Sequence, residues 1–407
     1  MKRSSRLLKE IGPGALVAAA FVGPGTVTVC TLAGAEFGYT LLWALVFATV
    51  ATIVFQEMAG RLGAAARSGL GQALRSTLAG SVWRWPLYAL IMVALYAGNA
   101  AYEAGNLSGA ALGAESVLGA GVSFEAAVVA ITLLAAVALV RGTYRQLERL
   151  LIGLVVLMAI AFVGTFAVTR PDLADMLRGL LVPKVPEGGL VMVLALIGTT
   201  VVPYNLFLHA SAAKARWAGA VDLAVVRTDT VLSVGVGGLV SIFIVSTASS
   251  SLFAQGLDAR NAADMAVQLE PLFGSIAKYL LGIGLLAAGF SSALTAPLAT
   301  AFAVTELTGS DGSRRPLAFR AVALSVLAIG CVFALSGIQP ITIILSAQFA
   351  NGLLLPIIAA FLLYTMNDRR LLGEHVNGRA ANVLGGLIFL ISLGLGSRLI
   401  LGALGLL

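Results

Sequence analysis

The chain has 407 residues, of which 59% are hydrophobic and 11% charged, with a mean hydropathy of +0.98. Soluble domains carry roughly 25% charged residues, so a water-soluble enzyme is excluded and a bundle of membrane helices is expected. The formal charge of +7 does not point to nucleic acid. With the N-terminus in the cytoplasm, all but six of the 26 Lys and Arg residues fall on cytoplasmic flanks (the six are Arg170, Arg178, Lys184, Arg260, Lys278 and Arg398), which is the positive-inside bias of membrane proteins.

A crossing takes about 20 apolar residues, and eleven apolar spans are predicted in chain order. They lie near 11–37, 40–62, 86–113, 122–141, 147–169, 188–214, 224–252, 272–305, 316–336, 338–364 and 380–404. An odd number places the C-terminus outside. The basic start, MKRSSRLLKEIGPG, has no cleavage-site pattern, so no removable signal peptide is expected.

The first span carries Gly23-Pro24-Gly25-Thr26 near its middle. Proline removes a backbone donor and clashes with the preceding turn, and the flanking glycines ease unwinding. Such a break is tolerated in a membrane only where the freed groups face protein or a cavity. At the end of the second span, Glu57 and Arg61 are spaced as an i,i+4 ion pair. The third span carries Asn99, Glu103 and Asn106 as one polar stripe on an apolar helix. Glu103 reads equally as a counter-ion or proton-accepting carboxylate and as a packing carboxylate bonded to neighbouring amides.

The sixth span, LALIGTTVVPYNLFLHAS, repeats the first span's feature with Pro203 at comparable depth, followed by Tyr204 and Asn205. Breaks five spans apart predict two five-helix repeats in opposite orientation, with a substrate site at the interrupted helices. In the eighth span Ser291, Ser292 and Thr295 read as packing hydroxyls, and Glu306 reads as interfacial. The tenth span holds Gln348 and Asn351, and His375 falls in a charged, solvated loop. Cys30 and Cys331 each sit alone in an apolar span and read as small core residues. The pattern contains no Ser-His-Asp set, Cys-His pair, HExxH or phosphate loop; no catalytic activity and no cofactor are expected.

At these residues the chain resembles the NRAMP family of proton-coupled divalent-metal transporters, over about 11–364. The likeness is carried by Gly12–Gly14, by the Pro-Gly of the first break, by GAEFGYTLLW at Gly34–Trp43 and by Gln56 with Arg61-Leu62-Gly63. It continues in Pro203, Asn205 and Leu208–Ser211, in LLAAGFSSALT at Leu285–Thr295 and in LSAQFANGLLLP at Leu345–Pro356. The resemblance implies an all-α polytopic membrane protein with a leucine-transporter-like (LeuT-like) fold, two inverted five-helix repeats and an eleventh transmembrane helix. Its divisions are a cytoplasmic N-terminus at 1–10, a first repeat at 11–169, an extracellular loop at 170–187, a second repeat at 188–364, and a loop with the eleventh helix at 365–407.

The departures from the family pattern concern its metal ligands. Where the family has Asp-Pro-Gly-Asn this chain has Gly23-Pro24-Gly25-Thr26, its sixth-helix Met is Val202, and the His after the proline is Tyr204. Asn99 and Tyr102 stand where the family has a proton-route Asp and Glu. Glu103 is one step away, about 100° around the helix. Dehydrated transition metals want carboxylate, imidazole or sulfur donors, so such a site is expected to hold them poorly. A small polar or cationic organic solute is expected instead, bound by Gly23, Thr26, Thr199, Val202, Tyr204, Asn205 and Gln348. Glu103, His209, Asn99 and Tyr102 are the candidates for proton or counter-ion roles. The partners implied are an ion or small-molecule substrate, the lipid bilayer of the plasma membrane and protons, with no nucleic acid; the oligomeric state is left open. Two other readings stand beside this one. In the first, the family's proton-coupled divalent metal transport survives. In the second, the chain is a non-transporting sensor or receptor, against which counts the lack of a soluble output domain after the last span.

Overall fold

The computed structural model describes residues 23–142, 145–217, 223–309 and 317–405. The expected cytoplasmic segment 1–10, the start of the first span at 11–22 and the Gly12–Gly14 motif lie outside the described residues. All extended regular structure among the described residues is helical: α1 Pro24–Phe37, α2 Leu42–Ala65, α3 Leu70–Leu78, α4 Arg84–Leu118, α5 Phe124–Arg141, α6 Arg145–Thr169 and α7 Leu173–Leu181. The chain continues with α8 Leu190–Thr200, α9 Pro203–Arg216, α10 Leu223–Ser251, α11 Ala277–Thr308, α12 Leu317–Ala334, α13 Pro340–Met366 and α14 Arg379–Ala403. Each predicted span has its helix, with α8 and α9 sharing the sixth.

Among the described residues nine helical segments are long and apolar enough to cross a membrane. Helix α4 is not one of them although it is 35 residues long, because Asn99, Glu103 and Asn106 lower its hydropathy. It can afford them because it is the buried post of the bundle. It packs most extensively against α11, and also against α12, α13 and α5. Small residues allow these close approaches, as membrane helices without a hydrophobic drive between them require. Gly198 of α8 and Gly352 of α13 interlock so tightly that a Cβ on the first would strike the Gln348 carbonyl, and on the second the Leu194 carbonyl.

Two helices were not visible as periodic segments. Helix α3 buries Leu70, Leu74 and Leu78 on one face. Helix α7 lies within the segment 170–187 expected to be a loop. Both are nine residues long and lie between spans, where amphipathic stretches of two turns read as connections.

Candidate functional site at two helix breaks

Helix α1 starts at Pro24, and Gly23 before it is extended, with φ −87° and ψ 179°. Helix α8 stops at Thr200; Val201 and Val202 leave helical geometry, and α9 restarts with Pro203 as its first residue. Proline suits that first turn because its missing N–H has no helical acceptor there anyway. The carbonyls freed at the end of α8 need donors, and the Thr52 hydroxyl of α2 lies 3.1 Å from the Thr200 carbonyl, sharing its one proton between it and the Ala48 carbonyl of its own helix at 2.8 Å. The starts of α1 and α9 present the positive ends of helix dipoles, and the end of α8 presents carbonyls.

The two breaks touch. The hydroxyls of Thr26 and Thr199 lie 3.0 Å apart, across 173 residues of chain. Gln348 of α13 lies directly over Gly25, where a Cβ would overlap its side-chain amide. Both amide atoms of Gln348 and the amide oxygen of Asn205 are buried without a hydrogen-bond partner. Tyr102 of α4 and Tyr204 of α9 meet edge to face, with ring centroids 5.3 Å apart, and pack with Val202 and Leu208. Gly109 of α4 closes the same face against Pro24. The structure therefore gathers Gly23, Thr26, Thr199, Val202, Tyr204, Asn205, Gln348 and Tyr102 around the paired breaks. The polar atoms these side chains offer are neutral hydroxyls and amides. Among the described residues no group of three or more His, Cys, Asp and Glu is arranged to hold a metal ion.

The other candidates lie elsewhere. Tyr102 faces the breaks, whereas Glu103, one step on, is pressed against Gly330 of α12 and accepts from the Asn106 amide at 3.1 Å. Asn99 donates to Thr300 of α11 at 2.6 Å. His209 of α9 is fully buried with its Nδ1 2.9 Å from the Gln56 Oε1 of α2, and its ring edge lies against Gly60. Glu103 and Asn99 are thus engaged where α4 meets α12 and α11, and His209 where α9 meets α2. Glu57 and Arg61 form the expected ion pair at 3.0 Å, which Arg227 of α10 joins, also at 3.0 Å. His375 is exposed.

Two contributors escaped the sequence reading. Thr52 is one hydroxyl in an apolar span, and nothing local marks it. Glu306 was read as interfacial, and what the sequence did not show is that its side chain is buried between helices, 3% exposed. Its carboxylate accepts from the Gly71 N–H at the start of α3 (3.1 Å) and from the Ser211 hydroxyl of α9 (3.0 Å). It thus clasps α11, α3 and α9 together.

Residues 14–402 match the family model described as Natural resistance-associated macrophage protein-like. Among curated proteins, the chain is similar to a divalent metal cation transporter, MntH, of Yersinia pestis (strain Pestoides F), with 26% identity over 98% of this chain and 96% of that one. The corresponding protein of Klebsiella pneumoniae subsp. pneumoniae is 29% identical over 98% and 97%. Among solved structures, an Eremococcus coleocola manganese transporter in complex with an aromatic bis-isothiourea compound superposes with a TM-score of 0.75. The identity is 21%, over 96% of this chain and 85% of that one. The inward-facing form of Mhp1 superposes with a TM-score of 0.53 at 17% identity, over 96% and 89%. These likenesses establish the fold: a LeuT-like bundle of two inverted five-helix repeats with an eleventh helix.

Proposed function

Because the chain belongs to the Nramp family, we propose that it is a secondary-active membrane transporter working by alternating access around the paired breaks. The observation that carries this reading is the Thr26–Thr199 contact, which joins the two interrupted helices at one point deep in the bundle. Interrupted helices supply dipole ends and freed carbonyls to a cargo and can re-pack as units. The repeats at 11–169 and 188–364 would move against one another, with the N-terminus in the cytoplasm and the C-terminus outside, in the plasma membrane.

For the cargo we infer a divalent metal cation. The support is the relatedness over 98% of the chain to proteins named divalent metal cation transporters. The neutral donor set sets the form in which the ion is carried. A bare ion without anionic ligands would lose its hydration uncompensated, a cost of several kcal/mol or more. An ion that retains part of its water, as Mg²⁺ tends to, asks for neutral acceptors such as Thr26, Thr199, Asn205, Gln348 and backbone carbonyls. A second reading, a small polar or cationic organic solute, is favoured by the unpartnered amides of Gln348 and Asn205, which a ligand with its own donors and acceptors would satisfy. Proton coupling, if the chain has it, is assigned to Glu103 with Asn106 and to His209 with Gln56.

Uptake into proteoliposomes tests the cargo. Saturable uptake of a divalent ion is expected, with Mg²⁺ no weaker a competitor than Mn²⁺. Uptake of no divalent cation, together with a thermal shift from small amines or amino acids, would transfer the assignment to the second reading. Tight, micromolar Mn²⁺ binding would overturn the hydrated-ion argument.

A further inference from the structure

Tyr102 of α4 and Tyr204 of α9 are both fully buried, and their surroundings are apolar: Val202, Leu208, Ala296 and Ala299 pack with the two rings. The edge-to-face contact, with centroids 5.3 Å apart, needs only the rings, and phenylalanine would make it equally well. Packing therefore does not account for the hydroxyls. Each is buried without a hydrogen-bond partner, a condition that native interiors avoid because the group has given up its water without return. Tyr96, on the same helix as Tyr102, shows the ordinary arrangement, its hydroxyl donating to Ser325 at 2.6 Å.

The Tyr102 hydroxyl faces the Tyr204 hydroxyl and the Gln348 amide, without reaching hydrogen-bonding geometry with either. Asn205, next to Tyr204 at the same break, adds an unpartnered Oδ1. Together these four side chains offer four unpartnered oxygens and one nitrogen, the Gln348 Nε2. A set so rich in acceptors suits a ligand that presents donors outward. Water bound to a divalent cation is such a ligand, since its oxygen is committed to the metal and both hydrogens point away. A phenol can turn its own proton aside and accept from that water.

We propose that Tyr102 and Tyr204 are the specificity-determining pair of the break site, their hydroxyls accepting from water that the carried divalent cation retains. This inference rests on the divalent-cation reading above and deepens it. It assigns Tyr102 to the cargo rather than to the proton or counter-ion role expected from the sequence. Contact through retained water favours an ion that dehydrates reluctantly, as Mg²⁺ does, over one that exchanges its water readily for protein ligands. With one phenol on α4 and the other on α9, an unbroken helix and a half-helix hold the same hydration shell.

The test is uptake of Mg²⁺ and of Mn²⁺ into proteoliposomes by the full chain and by Tyr102→Phe, Tyr204→Phe and Tyr96→Phe, with melting temperatures recorded in parallel. Losing a hydrogen bond from cation-polarised water is expected to raise the Mg²⁺ half-saturation about tenfold in either break-site variant. The rise for Mn²⁺ should be smaller, so the preference for Mg²⁺ falls. The same two variants should melt no lower than the parent, since an unpartnered hydroxyl adds nothing to the fold. Tyr96→Phe should do the reverse, melting lower for want of its bond to Ser325 while keeping the parent's half-saturation and ion preference. Measurable parent uptake with half-saturation and preference unchanged in Tyr102→Phe and Tyr204→Phe would overturn this inference and leave the cargo reading standing. Absence of divalent uptake by the parent would overturn both. A melting temperature lowered in the two break-site variants by as much as in Tyr96→Phe would assign their hydroxyls to the fold and overturn the inference as well.

Discussion

Glu103 shows how much one residue of helical register decides. The stripe of Asn99, Glu103 and Asn106 was legible in the sequence, but its direction was not, because direction depends on which neighbour each face of α4 meets. Tyr102 turns to the breaks and Glu103 to Gly330. Glu103→Gln should therefore leave half-saturation for the cargo within about twofold while changing the pH profile of uptake. An unchanged profile would remove Glu103 from any proton role, and a large affinity loss would place it at the cargo. The glycines make a sharper forecast. Gly198→Ala drives a Cβ into the Gln348 carbonyl, and that carbonyl is held in a helix; overpacking of this kind costs about 1–3 kcal/mol or more. Gly153→Ala in α6 meets open space and removes backbone freedom from a helix interior, worth roughly 0.5–1 kcal/mol in its favour. Melting temperatures should rank Gly153→Ala at or above the parent and Gly198→Ala well below it.

At the scale of elements, the eleven spans were readable because a lipid-crossing helix must be apolar for most of its length, whatever it packs against. Both breaks could be located because proline and glycine act locally. What could not be read was how the breaks are satisfied. Thr52 donates to the Thr200 carbonyl from 148 residues away, and no local pattern encodes that distance. Thr52→Val keeps the shape and removes the proton shared by the Thr200 and Ala48 carbonyls, at an expected cost of about 0.5–1.5 kcal/mol, visible as a lower melting temperature. Helix α3 depends on a remote group in the same way. Glu306→Ala deprives the Gly71 N–H and the Ser211 hydroxyl of their acceptor, so hydrogen exchange across residues 70–78 should accelerate while the amides of α4 stay protected. Uniform exchange rates in the variant and the parent would show that α3 stands without the clasp.

For the whole molecule, the family places the chain among transporters, and the side chains gathered at its paired breaks are neutral hydroxyls and amides. On the proposed reading, Gly23, Val202 and Tyr204 would set what the site can bind, and the backbone interruptions beside them would let it move. The Glu306 clasp adds a condition on that movement. It grips α9, one of the half-helices that would swing on the proposed reading, at the end remote from Pro203, and it does so with a buried carboxyl group that forms no ion pair among the described residues. If α9 leaves α3 during a cycle, that carboxyl group must exchange protein donors for water and then give the water up again. The tempo of the cycle would then be governed by wetting and drying at the rim, far from where the passenger rides.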